Sequence, residues 1–222
     1  MSLLILLGGS FLNNLNVKLE LMSVIYSLDL IGTFVFAISG TLSAANKKLD
    51  LFGAFFTGFI TAIGGGTLRD LILGNFPVAW VTDLNYLLVI AFGVFVTFLF
   101  KGMIMKFKRT LFLFDTIGIG VFTIIGIEKA LSLSIHPVLA IIMGLFSAVM
   151  GGVIRDTLCN DIPLIFRKEI YAVACIVGGL LFLFLKYLQV DPTVNLFVTV
   201  ISIIVFRLIC IRYKLSLPVL KY

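Results

Sequence analysis

Apolar residues run along this chain in long blocks, separated by short polar breaks that often hold proline or glycine. The blocks cover about residues 24–45, 51–73, 84–103, 111–128, 135–158, 169–188 and 193–211. Each approaches the roughly 20 apolar residues that a helix needs to cross a bilayer. None alternates apolar with polar over roughly ten residues, as barrel strands do. The pattern therefore predicts an all-α polytopic membrane protein with seven transmembrane helices, since a spanning helix satisfies its own backbone groups. Residues 1–22 stand apart. Met1 to Leu12 is apolar but short, without the basic leader or small-residue cleavage site of a signal peptide. This segment is expected either to lie along the membrane surface or to precede the true start.

Composition agrees with the pattern. Of 222 residues, 61% are hydrophobic and 13% charged, with a mean hydropathy of +1.20. Soluble domains carry roughly a quarter charged residues, and one this apolar would aggregate. Soluble enzymes, secreted domains and disordered chains are excluded.

The net charge of +6 is read first as topology, because Lys and Arg collect in cytoplasmic loops. With seven crossings, one side holds Lys18, Lys129 and Lys186. The other holds Lys47, Lys48, Lys101, Lys106, Lys108, Arg109, Arg167, Lys168, Arg212, Lys214 and Lys221. Arg69, Arg155 and Arg207 remain inside spans. The asymmetry predicts an N-terminus outside and a C-terminus in the cytoplasm. No basic stretch interleaved with aromatics points to nucleic acid. The basic patch of Lys106, Lys108, Arg109, Arg212 and Lys214 has two readings. It marks the cytoplasmic side, or it also attracts anionic membrane lipid at about 1 kcal/mol per charge.

Little in the sequence suggests catalysis. Cys159, Cys175 and Cys210 sit singly in or beside apolar segments and read as small core residues. His136 precedes Pro137 at an expected helix start and reads as a cap or loop residue. Gly64 to Thr67 lacks the GxxxxGK[ST] pattern of a phosphate loop. There is no Ser/His/Asp set, metal-ligand cluster or pair of catalytic carboxylates, so no enzyme, metal or cofactor is expected.

Self-similarity is the strongest signal. Gly65-Gly66-Thr67-Leu68-Arg69-Asp70 recurs as Gly151-Gly152-Val153-Ile154-Arg155-Asp156, 86 residues later. The same offset pairs Asp29 with Asp115, Gly32 with Gly118, Gly40 with Gly126, Gly58 with Gly144 and Pro77 with Pro163. Without a gap, 20 of the 72 positions from Asp29 to Phe100 match their counterparts. The chain divides into an N-terminal segment (1–22), a first three-helix repeat (23–108), a second (109–190), and a seventh helix with its tail (191–222). Three crossings per repeat are odd, so the second copy enters the membrane inverted. Inverted repeats commonly surround a solute or ion pathway near the midplane.

Within the second span, Thr57, Thr61, Gly65 and Arg69 form one stripe at a spacing of four, and Gly58, Ala62, Gly66 and Asp70 another. The fifth span repeats them as Met143, Ser147, Gly151, Arg155 and Gly144, Ala148, Gly152, Asp156. Residues four apart share a helix face, and small ones admit a close neighbour. Gly64, Gly65 and Gly66 in a row, with Gly151 and Gly152 opposite, predict a kink or local unwinding, since each costs about 1 kcal/mol against Ala. Ionisable residues within spans mark a pathway or an internal pair. Direction of travel puts Arg69, Asp70 and Asp29 near the outer mouth, and Arg155, Asp156 and Asp115 near the inner one. Two readings stay open. The charges and glycines line a polar route with Thr61 and Ser147, or they only hold helices together. The phenylalanine-rich third span reads as lipid-facing bulk.

Over about residues 24–212, these repeats and the paired GG-x-x-RD motif resemble the prokaryotic trimeric intracellular cation (TRIC) channel family. The resemblance implies a homotrimer with one pore per protomer, lined by the second and fifth spans and permeable to K⁺ and Na⁺. It implies kink positions at Gly64, Gly65, Gly66, Gly151 and Gly152, and charged positions at Arg69, Asp70, Arg155 and Asp156. The Lys-Glu-Val motif of animal members is absent, and residues 1–22 depart from the family pattern. The alternatives are a secondary transporter of a small solute such as an amino acid, and a non-conducting scaffold.

Overall fold

The computed structural model describes residues 2–104, 110–168 and 170–218, with side chains at 19–100, 111–168 and 170–218. Lys106, Lys108 and Arg109 of the basic patch lie outside the described residues, as does the 108/109 repeat boundary.

The described chain is almost wholly helical. Its α-helices are α1 (Ser2–Asn46), α2 (Leu51–Ile72), α3 (Ala79–Thr82), α4 (Leu84–Ile104), α5 (Thr110–Ser132), α6 (Pro137–Leu158), α7 (Ala172–Tyr187) and α8 (Pro192–Arg212), with a 3-10 turn at Leu164–Phe166. Each apolar block falls on one of the seven longer helices. The single turn α3 is the eighth, and the apolar pattern gives no sign of it. Among the described residues, five helical stretches are long and apolar enough to cross a membrane: Leu19–Asn46, Leu51–Ile72, Leu111–Ser132, Pro137–Leu158 and Pro192–Arg212. Leu84–Phe100 and Ala172–Tyr187 are apolar but shorter. α1 runs on through residue 22 without a break, so the boundary drawn there is not an end of helix.

Local chemistry explains the helix starts. Asp50 caps α2 by accepting from the Gly53 amide at 2.7 Å. Asp191 caps α8 by accepting from Thr193 and Val194, with Pro192 at the first turn. His136 caps α6, as its place before Pro137 suggests.

Close packing follows the small-residue stripes. A Cβ at Gly40 (α1) would stand 2.8 Å from the Gly58 Cα of α2, and one at Gly126 (α5) 2.8 Å from the Gly144 Cα of α6. Real Cβ atoms do not tolerate such distances, so only glycine lets these pairs touch. α2 and α6 meet in the same way. A Cβ at Gly65 would overlap the Ser147 carbonyl oxygen, and one at Gly151 the Thr61 carbonyl oxygen. Beside this crossing the buried rings of Phe36 and Phe122 stack at 5.1 Å. Cys159, Cys175 and Cys210 are free and buried.

Candidate functional site: two buried ion clusters about a glycine crossing

The Arg-Asp pair of each motif lies in the last turn of its helix, where a cation faces the negative end of the helix dipole. The two helix ends are built alike. Arg69 and Arg155 carbonyls accept from Leu73 and Cys159, and Asp70 and Asp156 carbonyls from Asn75 and Asp161. Each aspartate side chain then accepts from the first residue of the next short helical turn: Asp70 from Ala79 at 3.5 Å, Asp156 from Leu164 at 3.1 Å.

Around Arg69 the charges pair loosely. Arg69 Nε donates to Asp70 Oδ1 at 2.9 Å, while Asp29 Oδ2 on α1 stands 3.9 Å from Arg69 Nη2. Lys129, in the last turn of α5, is 3.9 Å from Asp29 and 3.7 Å from Asp70. Its side chain is 27% exposed, whereas Arg69 is buried. A cavity of about 670 Å³, lined by Tyr26, Asp29, Asp83, Tyr86, Glu128 and Lys129, opens onto this cluster. Asp29, Ala79 and Tyr86 also border a pocket of about 20 Å³ that reaches Gly66, Arg69 and Asp70, enough for a water molecule. At the vestibule rim, the Tyr26 hydroxyl donates to Asp83 and holds its carboxyl below the usual carboxylate range.

The cluster around Arg155 is tighter. Arg155 Nε donates to Asp156 at 2.7 Å, and Nη1 donates both to Asp115 at 2.8 Å and to the Ser39 hydroxyl of α1 at 2.6 Å. Arg207 enters from α8. Its Nε donates to the Thr116 hydroxyl at 2.9 Å, its Nη2 lies 3.3 Å from Asp115 Oδ2, and its guanidinium lies 4.1 Å from the centre of the Tyr171 ring. All these charged side chains are buried. Arg155 Nη2, both Arg207 terminal nitrogens and the Tyr171 hydroxyl have no hydrogen-bond partner among the described residues.

Isolated charges in such surroundings would be prohibitive, and pairing is what makes them tolerable. Each cluster is balanced, with Arg69 and Lys129 against Asp29 and Asp70, and Arg155 and Arg207 against Asp115 and Asp156. Among the described residues no group of three or more His, Cys, Asp or Glu could hold a metal.

All six charged positions singled out in the sequence thus gather in two sets of three. Three partners were hidden. Lys129 reads as a loop cation, Arg207 belongs to neither repeat, and Ser39 carries no motif. Of the kink or local unwinding expected at the glycine runs, unwinding is not what the helices show. α2 and α6 continue as unbroken α-helix through Gly64–Gly66 and Gly151–Gly152. Local unwinding is absent because the helical bonds survive while the missing side chains are used for contact. Thr61 differs from its counterpart as well: its hydroxyl is committed to the Thr57 carbonyl at 2.6 Å, whereas the buried Ser147 hydroxyl has no partner among the described residues.

Known proteins of the same build can be compared at this point. A family model described as glycine transporter matches residues 26–102 and again 112–187, two copies whose starts differ by the repeat offset of 86. A UPF0126 membrane protein of Vibrio cholerae is 42% identical over 200 residues, covering 88% of this chain and 82% of its own length. The UPF0126 inner membrane protein YadS of Escherichia coli is 39% identical over 198 residues, covering 88% and 95%. The TRIC trimeric intracellular cation channel orthologue from Rhodobacter sphaeroides superposes with a TM-score of 0.82 at 34% identity, over 87% of this chain and all of that one. A prokaryotic TRIC channel crystallised in 0.5 M KCl gives 0.80 at 33% identity, over 88% and 100%. These solved neighbours are ion channels rather than enzymes.

Proposed function

The chain belongs to the TRIC family, matched along both repeats, and from that premise we propose that it is a passive cation channel of the cell membrane. It passes K⁺ and also Na⁺ through a pore within each protomer of a homotrimer. The observation that carries this reading is the pair of balanced ion clusters separated by the α2–α6 glycine crossing. A cation enters the vestibule, passes the Arg69 cluster, slips between α2 and α6 near Ser147, and leaves beside the Arg155 cluster. The aspartates offset each arginine, so an arginine at each mouth does not by itself repel a cation. Gly65 against the Ser147 carbonyl and Gly151 against the Thr61 carbonyl close the route, and a small separation of α2 from α6 opens it.

Seven crossings and an inverted repeat fit the same picture. The contact of Gly65 with Ser147 becomes that of Gly151 with Thr61 when the copies are exchanged. A contact that maps onto itself supports a pseudo-two-fold axis between the repeats, as in other membrane proteins with such repeats. The surplus of cations on one side supports an N-terminus outside and a cytoplasmic C-terminus.

Potassium flux into liposomes holding purified protein, with and without valinomycin, tests the proposal. The expected result is voltage-driven flux without saturation at low concentration, changed several-fold by a correctly folded Arg69→Ala/Arg155→Ala variant. Saturable glycine uptake coupled to a proton or Na⁺ gradient would replace the channel with a carrier. No flux of either kind from inserted protein, with both arginines dispensable, would leave a scaffold.

A further inference from the structure

Arg207 is a buried cation on the one long helix outside the repeats, and no motif accounts for it. It touches three residues of the inner cluster at once: Thr116 and Asp115 on α5, and the Tyr171 ring at the start of α7. Asp115 in turn holds Arg155 of α6, and the same Arg155 nitrogen holds Ser39 of α1. One turn further along both helices, the Ser43 hydroxyl donates to Cys159 Sγ at 3.3 Å. The inner seam between α1 and α6 is therefore fastened by a chain of contacts that begins on α8.

The outer cluster has no such fastening. Its second cation is Lys129, partly exposed and no closer than 3.7 Å to either aspartate. The position equivalent to Lys129 in the first repeat is Ser43, so the two mouths differ in both residue type and contact length.

We propose that Arg207 is a positioning residue of the inner mouth: acting through Asp115 and Arg155, it ties α8 to the α1–α6 seam and makes the inner mouth the tighter of two unequal gates. This rests on the channel reading for its consequence, though the seam itself can be tested without conduction. Removing Arg207 leaves Asp115 still held by Arg155 but cuts both from α8. The seam then opens more often; the inner cluster is left one positive charge short, which Arg207→Lys restores, while Arg155 stays paired with Asp115 and Asp156.

Two measurements on the Arg207→Gln protein decide it. The first is the labelling rate of native Cys159 by a maleimide in purified protein, read by peptide mass spectrometry. Cys159 is expected to react several-fold faster than in the parent and to gain more than buried Cys175, whose thiol donates to the carbonyl of Tyr171 beside Arg207. Equal acceleration at both cysteines means general loosening and overturns the proposal, as does no acceleration. The second is single-channel recording. Open probability is expected to rise several-fold at unchanged unit conductance and reversal potential, with Arg207→Lys intermediate. A changed conductance at unchanged open probability would make Arg207 a charge of the pathway and overturn its positioning role. If Arg207→Gln fails to fold, Thr116→Val, which removes the 2.9 Å bond from Arg207 together with the hydroxyl's own 2.6 Å bond to the Phe112 carbonyl, is expected to raise Cys159 labelling; no rise sinks the idea. Absence of current from the parent protein would count against the channel reading alone, because the labelling result stands independently.

Discussion

At Gly65 and Gly151 one methyl group separates packing from helix propensity. Alanine is the better helix former by about 1 kcal/mol, so an exposed glycine in mid-helix gains from replacement. At these two positions the new Cβ would overlap a carbonyl oxygen of the facing helix. A backbone atom cannot swing aside, and overpacking of this kind costs about 1–3 kcal/mol. Gly66 is the control: its Cβ would meet nothing closer than Arg69 Nη2, at 3.6 Å. Unfolding in mixed micelles is expected to show Gly65→Ala and Gly151→Ala destabilised by about 1–3 kcal/mol. Gly66→Ala should be neutral or stabilised by up to about 1 kcal/mol. Equal effects at all three would mean that conformational freedom, not contact, keeps glycine there.

Among the helices, α4 shows most plainly which face meets the protein. Ile90, Val94 and Thr97 are buried against the bundle, while Phe92, Phe95 and Leu99 point away, Phe95 being 60% exposed. The sequence places its phenylalanines in lipid, and the described face agrees with an outward position. Phe95→Leu is then expected to change unfolding free energy by under about 0.5 kcal/mol. Phe36→Ala, inside the stacked pair with Phe122, should cost about 3–5 kcal/mol. A large loss at Phe95 would mean that this face is covered by another subunit. Helix positions and the two ion clusters were legible because apolar length and a repeated motif are local signals. The fine contacts were not. α5 continues to Ser132, four residues past the expected end at 128, which turns Lys129 from a loop residue into part of a cluster. Arg207 reaches a hydroxyl 91 positions away, and nothing in the repeat points to it because α8 has no counterpart. The glycine run suggested a kink or local unwinding because propensity alone counts against helix, while the tertiary contact that favours glycine lies on another span.

Across the whole molecule the two ion clusters are unlike, so which faces the cytoplasm matters for how ions would enter by the proposed route. The vestibule of about 670 Å³ opens beside Asp29 and Lys129, whereas the charges of the Arg155 cluster are all buried. The orientation we propose has the vestibule outside, on the ground that the side with Lys129 and Lys186 is poor in Lys and Arg and the side with Lys47, Lys48, Arg167, Lys168, Arg212 and Lys214 is rich. Two exposed serines report the orientation with minimal disturbance. Ser132 lines the vestibule, and Ser216 lies beyond the end of α8. Because the native cysteines are buried, a membrane-impermeant maleimide should find mainly the introduced thiol. In intact cells, Ser132→Cys is expected to be labelled and Ser216→Cys to stay unreacted until the membrane is permeabilised. The opposite pattern would put the Arg69 cluster and its vestibule in the cytoplasm and the Arg155 cluster outside. Labelling of both in intact cells would mean that α6, α7 and α8 do not make three crossings, and the topology proposed for the second half of the chain would fall.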